Sequence, residues 1–386
     1  MSGEEKRKII LVSDSFPPVP SGVSKHSFFL AKKLLESNFE VVVITGGTKH
    51  KPPEEIEIEK LGGKVMRFGK LIHVYANGTR CYITLISPID IFRMKKFFSS
   101  YECDAVILQG PLGLTLPYPA TAFAKTKKFV GIFHSVTEKP NLGYILFKNF
   151  MKPFLKKIDV KIAVSKLAQN EIEKYFGKQD MKIIPPGIDT EIYSPHRAEK
   201  KKDSVNMLFV GRLDERKGID ILLSAFRKVK KFGIKNGKKL PLKLKIVGDG
   251  PMRNIVEKEK TREKNIEFEG FVPEKILPEI YASSDFCVFP SKGGESFGIV
   301  LIESMACASP PIASNIKGYK DVIEDGKTGM LFSNQEELIK KIELMSFDEK
   351  IREEISKNAL ENSKRYEWNK ITQEIIREIE NRKSNP

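Results

Sequence analysis

The sequence predicts an α/β protein built from two doubly wound domains in tandem, and three observations predict it. Its 386 residues exceed the ~250–300 at which a single hydrophobic core stops growing. Short apolar, β-branched runs alternate with segments of helical periodicity, the sequence form of βαβ units around a parallel sheet. The alternation breaks once, at Pro185-Pro186-Gly187 and the polar stretch from Thr190 to Ser204, and then restarts.

In the first half, strands are predicted at Ile9–Val12, Val41–Ile44, Ala105–Leu108, Val130–Phe133, Lys161–Val164 and Met181–Ile184. Helices are predicted at Val23–Glu36, Leu116–Lys125, Ile145–Lys156 and Lys166–Phe176. The second half gives strands near Asn206–Val210, Leu242–Val247, Ile266–Glu269, Phe286–Phe289 and Pro311–Ala313. Its helices are predicted near Gly218–Lys230, Met252–Thr261, Glu274–Ala282 and Ile299–Cys307. From Glu336 to Arg382 the chain reads as helices interrupted near Phe347 and around Trp368. Doubly wound sheets bind ligands at the carboxyl ends of their strands, so a cleft between two such domains is the expected site.

Composition narrows the function. No apolar stretch approaches the roughly 18–20 residues of a membrane-spanning helix, and Glu4 and Glu5 with a four-residue apolar run show no secretory signal, which predicts a cytoplasmic protein. Cys81, Cys103, Cys287 and Cys307 form no Cys-x-x-Cys pair and lack histidines at ligand spacing, which argues against zinc or disulfides; Cys103, Cys287 and Cys307, in or beside apolar runs, read as packing. The formal charge of +16 is concentrated in residues 1–188, with 29 Lys and Arg against 17 Asp and Glu. Nucleic acid, an anionic membrane or a phosphorylated small molecule could each use that charge. No zinc finger, RNA-binding aromatic signature or helix-turn-helix supports nucleic acid, and no Gly-x-Gly-x-x-Gly supports a nicotinamide enzyme.

Two segments can carry chemistry. The strand Met207–Val210 runs into Gly211-Arg212-Leu213-Asp214-Glu215-Arg216-Lys217-Gly218, which places three cations between a strand end and a helix N-terminus, a setting for a diphosphate. After Phe286–Phe289 come Gly293-Gly294-Glu295-Ser296-Phe297-Gly298 and the run Ile299–Met305, which contains Glu303. The two carboxylates are separated by roughly 10 Å if the second lies on a helix, enough to meet a sugar and a ribose. Surface capping does not explain a carboxylate inside that apolar run, which needs a partner or a ligand.

These residues resemble the retaining nucleotide-sugar glycosyltransferases of GT-B fold, family 4 type, whose signature is Glu, seven residues, Glu. Matching segments are Ser21–Lys33, Phe133-His134-Ser135, Ala163-Val164-Ser165, Pro185–Asp189, Gly211–Gly218, Val247–Pro251 and Gly293–Glu303. Within the family the likeness is to the phosphatidylinositol mannosyltransferases, through Gly293–Glu303 and Tyr75-Ala76-Asn77-Gly78-Thr79. The resemblance implies an acceptor domain over residues 1–189, a nucleotide-sugar domain over 190–366, and a C-terminal helix at about 367–386 packing back on the first. It implies that Arg212 and Lys217 hold the donor diphosphate, that Glu295, Phe297 and Gly298 meet the sugar, that Ile299 belongs to the donor site, and that Glu303 meets the ribose. Gly22 would approach the phosphate, Val272 and Lys275 would read the base, and His134 would touch the sugar. Pro20, Ser24, Tyr75, Asn77, Thr79, Arg80 and Arg216 would face the acceptor.

The chemistry then follows physically. Breaking a sugar–diphosphate bond leaves negative charge on the phosphate, and Arg212 with Lys217 supply fixed cations there. No Asp-x-Asp motif occurs, so no metal and no cofactor is expected beyond the donor itself, GDP-mannose or another nucleotide sugar. The acceptor is expected to be lipid-linked, of phosphatidylinositol type, reached by peripheral attachment to the inner face of the cell membrane. Phe147–Lys157 mixes bulky apolar residues with lysines, and the helix from Val23 sets Lys25, Lys32 and Lys33 beside Phe28, Phe29 and Leu30. Such stretches bind anionic headgroups at about 1 kcal/mol per lysine. A UDP-sugar donor and a different lipid or soluble acceptor remain open.

Overall fold

A computed structural model describes residues 6–76, 79–134, 136–137, 140–200 and 203–381. The chain divides into two units, Met1–Gly187 with Trp368–Pro386, and Ile188–Glu367.

The first unit begins with β1 (Lys8–Ser13), α1 (Gly22–Glu36), β2 (Glu40–Gly46), α2 (Pro53–Lys60) and β3 (Lys64–Phe68). An antiparallel pair, β4 (Lys70–Ala76) and β5 (Thr79–Leu85), precedes α3 (Pro88–Ser100), β6 (Glu102–Gln109), α4 (Pro117–Phe123) and β7 (Lys125–Phe133). Then come α5 (Leu142–Lys157), β8 (Val160–Ala163), α6 (Lys166–Phe176) and β9 (Lys182–Ile183). Seven strands make one parallel sheet in the order β3-β2-β1-β6-β7-β8-β9. The order reverses between β1 and β6, where sheets of this kind open a site at their carboxyl edge.

Side chains alternate through this sheet. Ile9, Leu11, Val41, Val43 and Ile107 enter one core, joined by Trp368, Ile371, Ile375 and Ile376 of the C-terminal helix Trp368–Glu380. Ile10, Val12, Val42, Ile44, Val106 and Leu108 enter the other, against Met94 and Phe98 of α3. Both faces are covered, so the strands read as unbroken apolar runs.

The second unit repeats the plan. Its elements are β10 (Val205–Val210), α7 (Ile219–Lys228), β11 (Phe232–Lys235), β12 (Lys238–Val247), α8 (Arg253–Arg262), β13 (Ile266–Gly270) and α9 (Leu277–Ala282). They continue as β14 (Phe286–Phe289), α10 (Ile299–Ala306), β15 (Pro311–Ser314), α11 (Lys317–Lys320), β16 (Met330–Phe332), α12 (Gln335–Phe347) and α13 (Glu349–Ser363). The sheet runs β12-β10-β14-β15-β16 in parallel, with β13 parallel and β11 antiparallel on β12. The fold class expected from sequence, two doubly wound α/β units, is the one observed.

Several local expectations change. The helix expected over Leu116–Lys125 ends at Phe123, because Ala124 is extended and Lys125 already belongs to β7, paired opposite Glu102. The helix expected from Glu274 opens as a 3₁₀ turn, Glu274–Ile276, and becomes α-helical only at Leu277. Tyr75–Cys81, where the sequence predicts no strand, is mostly hairpin strand, with Tyr75 opposite Arg80 and Ala76 opposite Thr79. Asn77 and Gly78 lie outside the described residues. The basic face expected on α1 is not a lipid face: Phe28 and Leu30 are buried, Phe29 stacks on Trp368, and Lys32 and Lys33 pair with Glu57 and Glu36. Cys103, Cys287 and Cys307 are buried free thiols. No helix among the described residues is long and apolar enough to cross a membrane.

Candidate active site

In the second unit the loop after β10 carries the cations. Asp214 accepts a hydrogen bond from the Lys217 backbone N–H at 3.1 Å and so starts the 3₁₀ turn Glu215–Lys217. That turn sends Arg216 and Lys217 toward the loop after β14, whose Lys292 N–H donates to the Arg216 carbonyl at 2.8 Å. There both cations meet one carboxylate. Glu295 Oε1 lies 2.7 Å from Lys217 Nζ and in direct contact with Arg216 Nη1, which also donates to the Gly294 carbonyl at 3.2 Å. Arg212 stays outside this pair, with Nε 3.5 Å from Asp214 Oδ2.

Burial would raise the Glu295 pKa, but the charges of Lys217 and Arg216 outweigh it and hold the carboxyl below its ordinary value. Arg216 is held above its ordinary value; burial opposes this, and the charges of Glu295 and Asp214 prevail. Glu295 is thus a carboxylate between two cations, a group able to accept from a hydroxyl beside cations able to meet an anion. Its backbone is fixed from below: a Cβ on Gly318 would lie 2.0 Å from the Glu295 carbonyl oxygen. The next residue, Tyr319, is fully buried and shares a hydrogen bond with Ser291 at 2.8 Å.

The remaining residues expected at the donor follow, most of them on the same segment. Phe297 is buried edge-on to Tyr366, ring centroids 5.4 Å apart. Gly298 caps α10 with φ +91°, a conformation that suits glycine, and a Cβ there would strike the Tyr319 ring at 2.5 Å. Ile299 opens the helix and is half-buried. Glu303 is 2% exposed and accepts a hydrogen bond from the Tyr281 hydroxyl at 3.0 Å. The partner that its apolar surroundings require is therefore a tyrosine of α9. Val272 is half-buried and Lys275 exposed, both between β13 and α9.

The first unit holds a second cluster at the carboxyl ends of β1, β6 and β7. His134 follows β7, and its Nε2 lies 2.5 Å from Oε1 of Gln109, the last residue of β6. The other end of that amide donates to Nδ1 of His26 on α1 at 3.2 Å. An amide oxygen only accepts, so Nε2 of neutral His134 carries the proton and Nδ1 is left as an acceptor. Burial pushes the His134 pKa down to about 4; His26 is lowered well below its ordinary value by burial and then by His134. Both rings are neutral at pH 7. His26 also packs against Trp368, centroids 5.1 Å apart. Asp14, just after β1, is raised by burial against the opposing hydrogen bonds of Thr115 and Thr84.

Among the residues expected at the acceptor, Pro20 is exposed and Ser24 is buried with its N–H on the Ser21 hydroxyl; Gly22, expected at the donor phosphate, is exposed as well. Tyr75, Thr79 and Arg80 lie on the β4–β5 hairpin, and Asn77 is outside the described residues.

The structure thus joins Glu295, Arg216 and Lys217 directly, leaves Arg212 beside them through Asp214, and turns Glu303 to Tyr281. Sequence reasoning missed Gln109, Asp14, Ser291 and Tyr319. Gln109 and Asp14 did leave a signal, a polar residue closing an apolar strand.

Residues 20–192 match the family described as Glycosyltransferase Family 4, and residues 193–362 match Glycosyl transferases group 1. The chain is 29% identical over 368 residues to a phosphatidyl-myo-inositol mannosyltransferase of Mycolicibacterium smegmatis, covering 94% of this chain and 90% of that one. It is 28% identical over 367 residues to the protein of the same name from Mycobacterium leprae, with 94% and 93% covered. Among solved structures, Anabaena Alr3699/HepE in complex with UDP and glucose superposes with a TM-score of 0.75 at 19% identity, covering 97% of this chain and 99% of that one. The two matched segments in succession, the named relatives and the doubly wound pair of units establish that this chain belongs to the GT-B glycosyltransferases and is a hexosyltransferase.

Proposed function

We propose that the protein transfers a hexose with retention from a nucleotide diphosphate sugar, GDP-mannose in the first instance, to a lipid-linked acceptor of phosphatidylinositol type at a membrane surface. The observation that carries the reading is the carboxylate of Glu295 held between Arg216 and Lys217. The relatives' names supply the sugar and the acceptor class. In this reading Lys217 and Arg212 take the charge that develops on the departing diphosphate, and Glu295 holds the sugar through a hydroxyl. Arg216 turns to the acceptor's phosphate. The acceptor hydroxyl forms its bond to the anomeric carbon on the leaving-group face as the sugar–phosphate bond breaks, and its proton passes to the departing phosphate. His134, neutral with Nδ1 as its acceptor, accepts from a sugar hydroxyl rather than shuttling that proton. The cations do the work of a metal, so chelation with EDTA leaves the rate unchanged.

Thermal stabilisation by candidate donors tests this first, since a ligand that binds the native state raises its melting temperature without any acceptor present. GDP-mannose is expected to shift the melting point, and NADH is not. A shift with UDP-glucose or UDP-N-acetylglucosamine instead would keep the chemistry and replace the donor, an outcome the UDP and glucose held by HepE makes worth including. No shift with any sugar nucleotide would remove the donor assignment.

A further inference from the structure

Five exposed apolar side chains of the first unit sit on one helix, α5: Leu142, Ile145, Leu146, Phe147 and Phe150. Leu146 is 74% exposed and Leu142 68%. The core takes only one side of this helix, where Met151 and Leu155 are buried with Phe133 and Ile172, and Tyr144 packs beside them. Phe150 and Phe154 lie on Tyr118 of α4, with centroids 5.4 and 4.5 Å away. Packing therefore accounts for Phe154 and for one side of Phe150. It does not account for Leu142, Ile145, Leu146 and Phe147, at positions where a solvated helix carries charge.

The charges of α5 are of one sign. At 3.6 residues per turn, Leu142, Leu146 and Phe150 share a side, and Lys156 and Lys157 continue that side toward the C-terminus, with Lys152 at its edge. The helix holds four lysines, with Lys148 the fourth, and no carboxylate. None of the four takes part in an ion pair among the described residues, whereas Lys32, Lys33 and Lys127 elsewhere in the unit are paired. A second copy meeting this face across a two-fold axis would set lysines against lysines with no carboxylate on the helix to answer them. An anionic lipid surface answers both halves, the leucines entering the interface and the lysines meeting headgroups.

We propose that α5 is the element through which this protein docks on an anionic bilayer, its first two turns inserted and its last two held at the headgroups. The proposal deepens the lipid-acceptor reading and rests on it for its purpose, while its test is independent of donor and acceptor.

The test is flotation of the purified full-length chain with phosphatidylcholine vesicles, with and without phosphatidylglycerol, at low and high salt. The parent protein is expected to float only with anionic vesicles at low salt. Leu142→Ser/Leu146→Ser and Lys152→Gln/Lys156→Gln/Lys157→Gln each are expected to lower the affinity about tenfold or more. Phe271→Ser, at a site 67% exposed in the second unit, is expected to change nothing. Leu146→Trp is expected to show a blue-shifted emission on vesicle addition, against a background of one buried tryptophan, Trp368. Donor-induced thermal stabilisation, measured on the same variants, is expected to match the parent, so a failed transferase reading shows there and not in flotation. The proposal is overturned if the α5 variants float like the parent, if the parent floats equally with neutral vesicles, or if sedimentation shows a dimer that Leu142→Ser/Leu146→Ser dissolves.

Discussion

Glu295 is held by two cations in a site where all three side chains are mostly shielded from water. Glu295→Gln keeps the shape but leaves Arg216 and Lys217 facing each other without the charge between them. We expect a loss of about 2–3 kcal/mol in urea unfolding and a fall of roughly a hundredfold or more in transfer rate. Lys217→Ala is expected to lose rate similarly while leaving Arg216 on Glu295; a variant that kept full rate would remove Glu295 and Lys217 from the chemistry. At Gln109 the readout is pH. Gln109→Glu puts a carboxylate against His134 Nε2, which favours the imidazolium, so the pKa of His134 rises from about 4 and the activity of the variant falls on acidification at a higher pH than in the parent. Gln109→Leu, which leaves the tautomer of His134 unset, is expected to slow transfer without that acid limb.

The depressed pKa of His134 also bears on stability. Its folded value lies below that of the unfolded chain, so the unfolded state binds the proton first and stability falls as pH drops from about 6.5 toward 4. The effect is about 3 kcal/mol at the acid end, and His26 acts in the same direction. A His134→Gln variant is expected to show a shallower decline of melting temperature over this window. A slope equal to the parent's would show that His134 does not carry it.

At the scale of elements, the site depends on loops that follow strands rather than on the strands. Gly318 in α11 lets the Glu295 backbone pass, since a Cβ would stand 2.0 Å from its carbonyl. Gly318→Ala is expected to cost about 1–3 kcal/mol and to lower transfer more than an equal loss of stability elsewhere, measured by comparing rate with melting point across variants. The elements that sequence periodicity revealed are those buried on both sides, such as β1, β2, β6, β10 and β14. It did not reveal α2, β3, α3, β11 or β16. α3 buries only Met94 and Phe98 fully among its apolar residues and leaves Ile89 and Phe92 in the open, which blurs its period. β3, β11 and β16 lie at sheet edges and are short. The β4–β5 hairpin did carry its own sign, Asn77-Gly78 between alternating residues.

On the scale of the whole molecule, the last helix belongs to the first unit although it follows the second in sequence. Trp368 lies against His26 and Phe29, and Ile371, Ile375 and Ile376 fill the face that α1 shares. Trp368→Ala is expected to cost about 3–5 kcal/mol. Truncation after Tyr366 removes several such side chains at once, which exceeds the roughly 5–15 kcal/mol that holds a domain. Deuterium exchange is then expected to rise in β1, β2 and β6 while β10 and β14 stay protected. Equal loss in both units would show that the helix supports them together.

What the sequence determined by itself is the two-fold repetition of a doubly wound plan, and the presence of cations and carboxylates in the loops after β10 and β14. Those are local properties: apolar runs long enough to span a buried sheet, glycines where backbones crowd, and charges next to strand ends. Only the tertiary structure decided that Glu295 pairs with Arg216 and Lys217, that Glu303 turns to Tyr281, that Gln109 sets the tautomer of His134, and that Lys32 of α1 is paired while, among the described residues, the lysines of α5 take part in no ion pair. The physical reason is that pairing and burial depend on which segments meet, and those partners lie tens of residues apart along the chain.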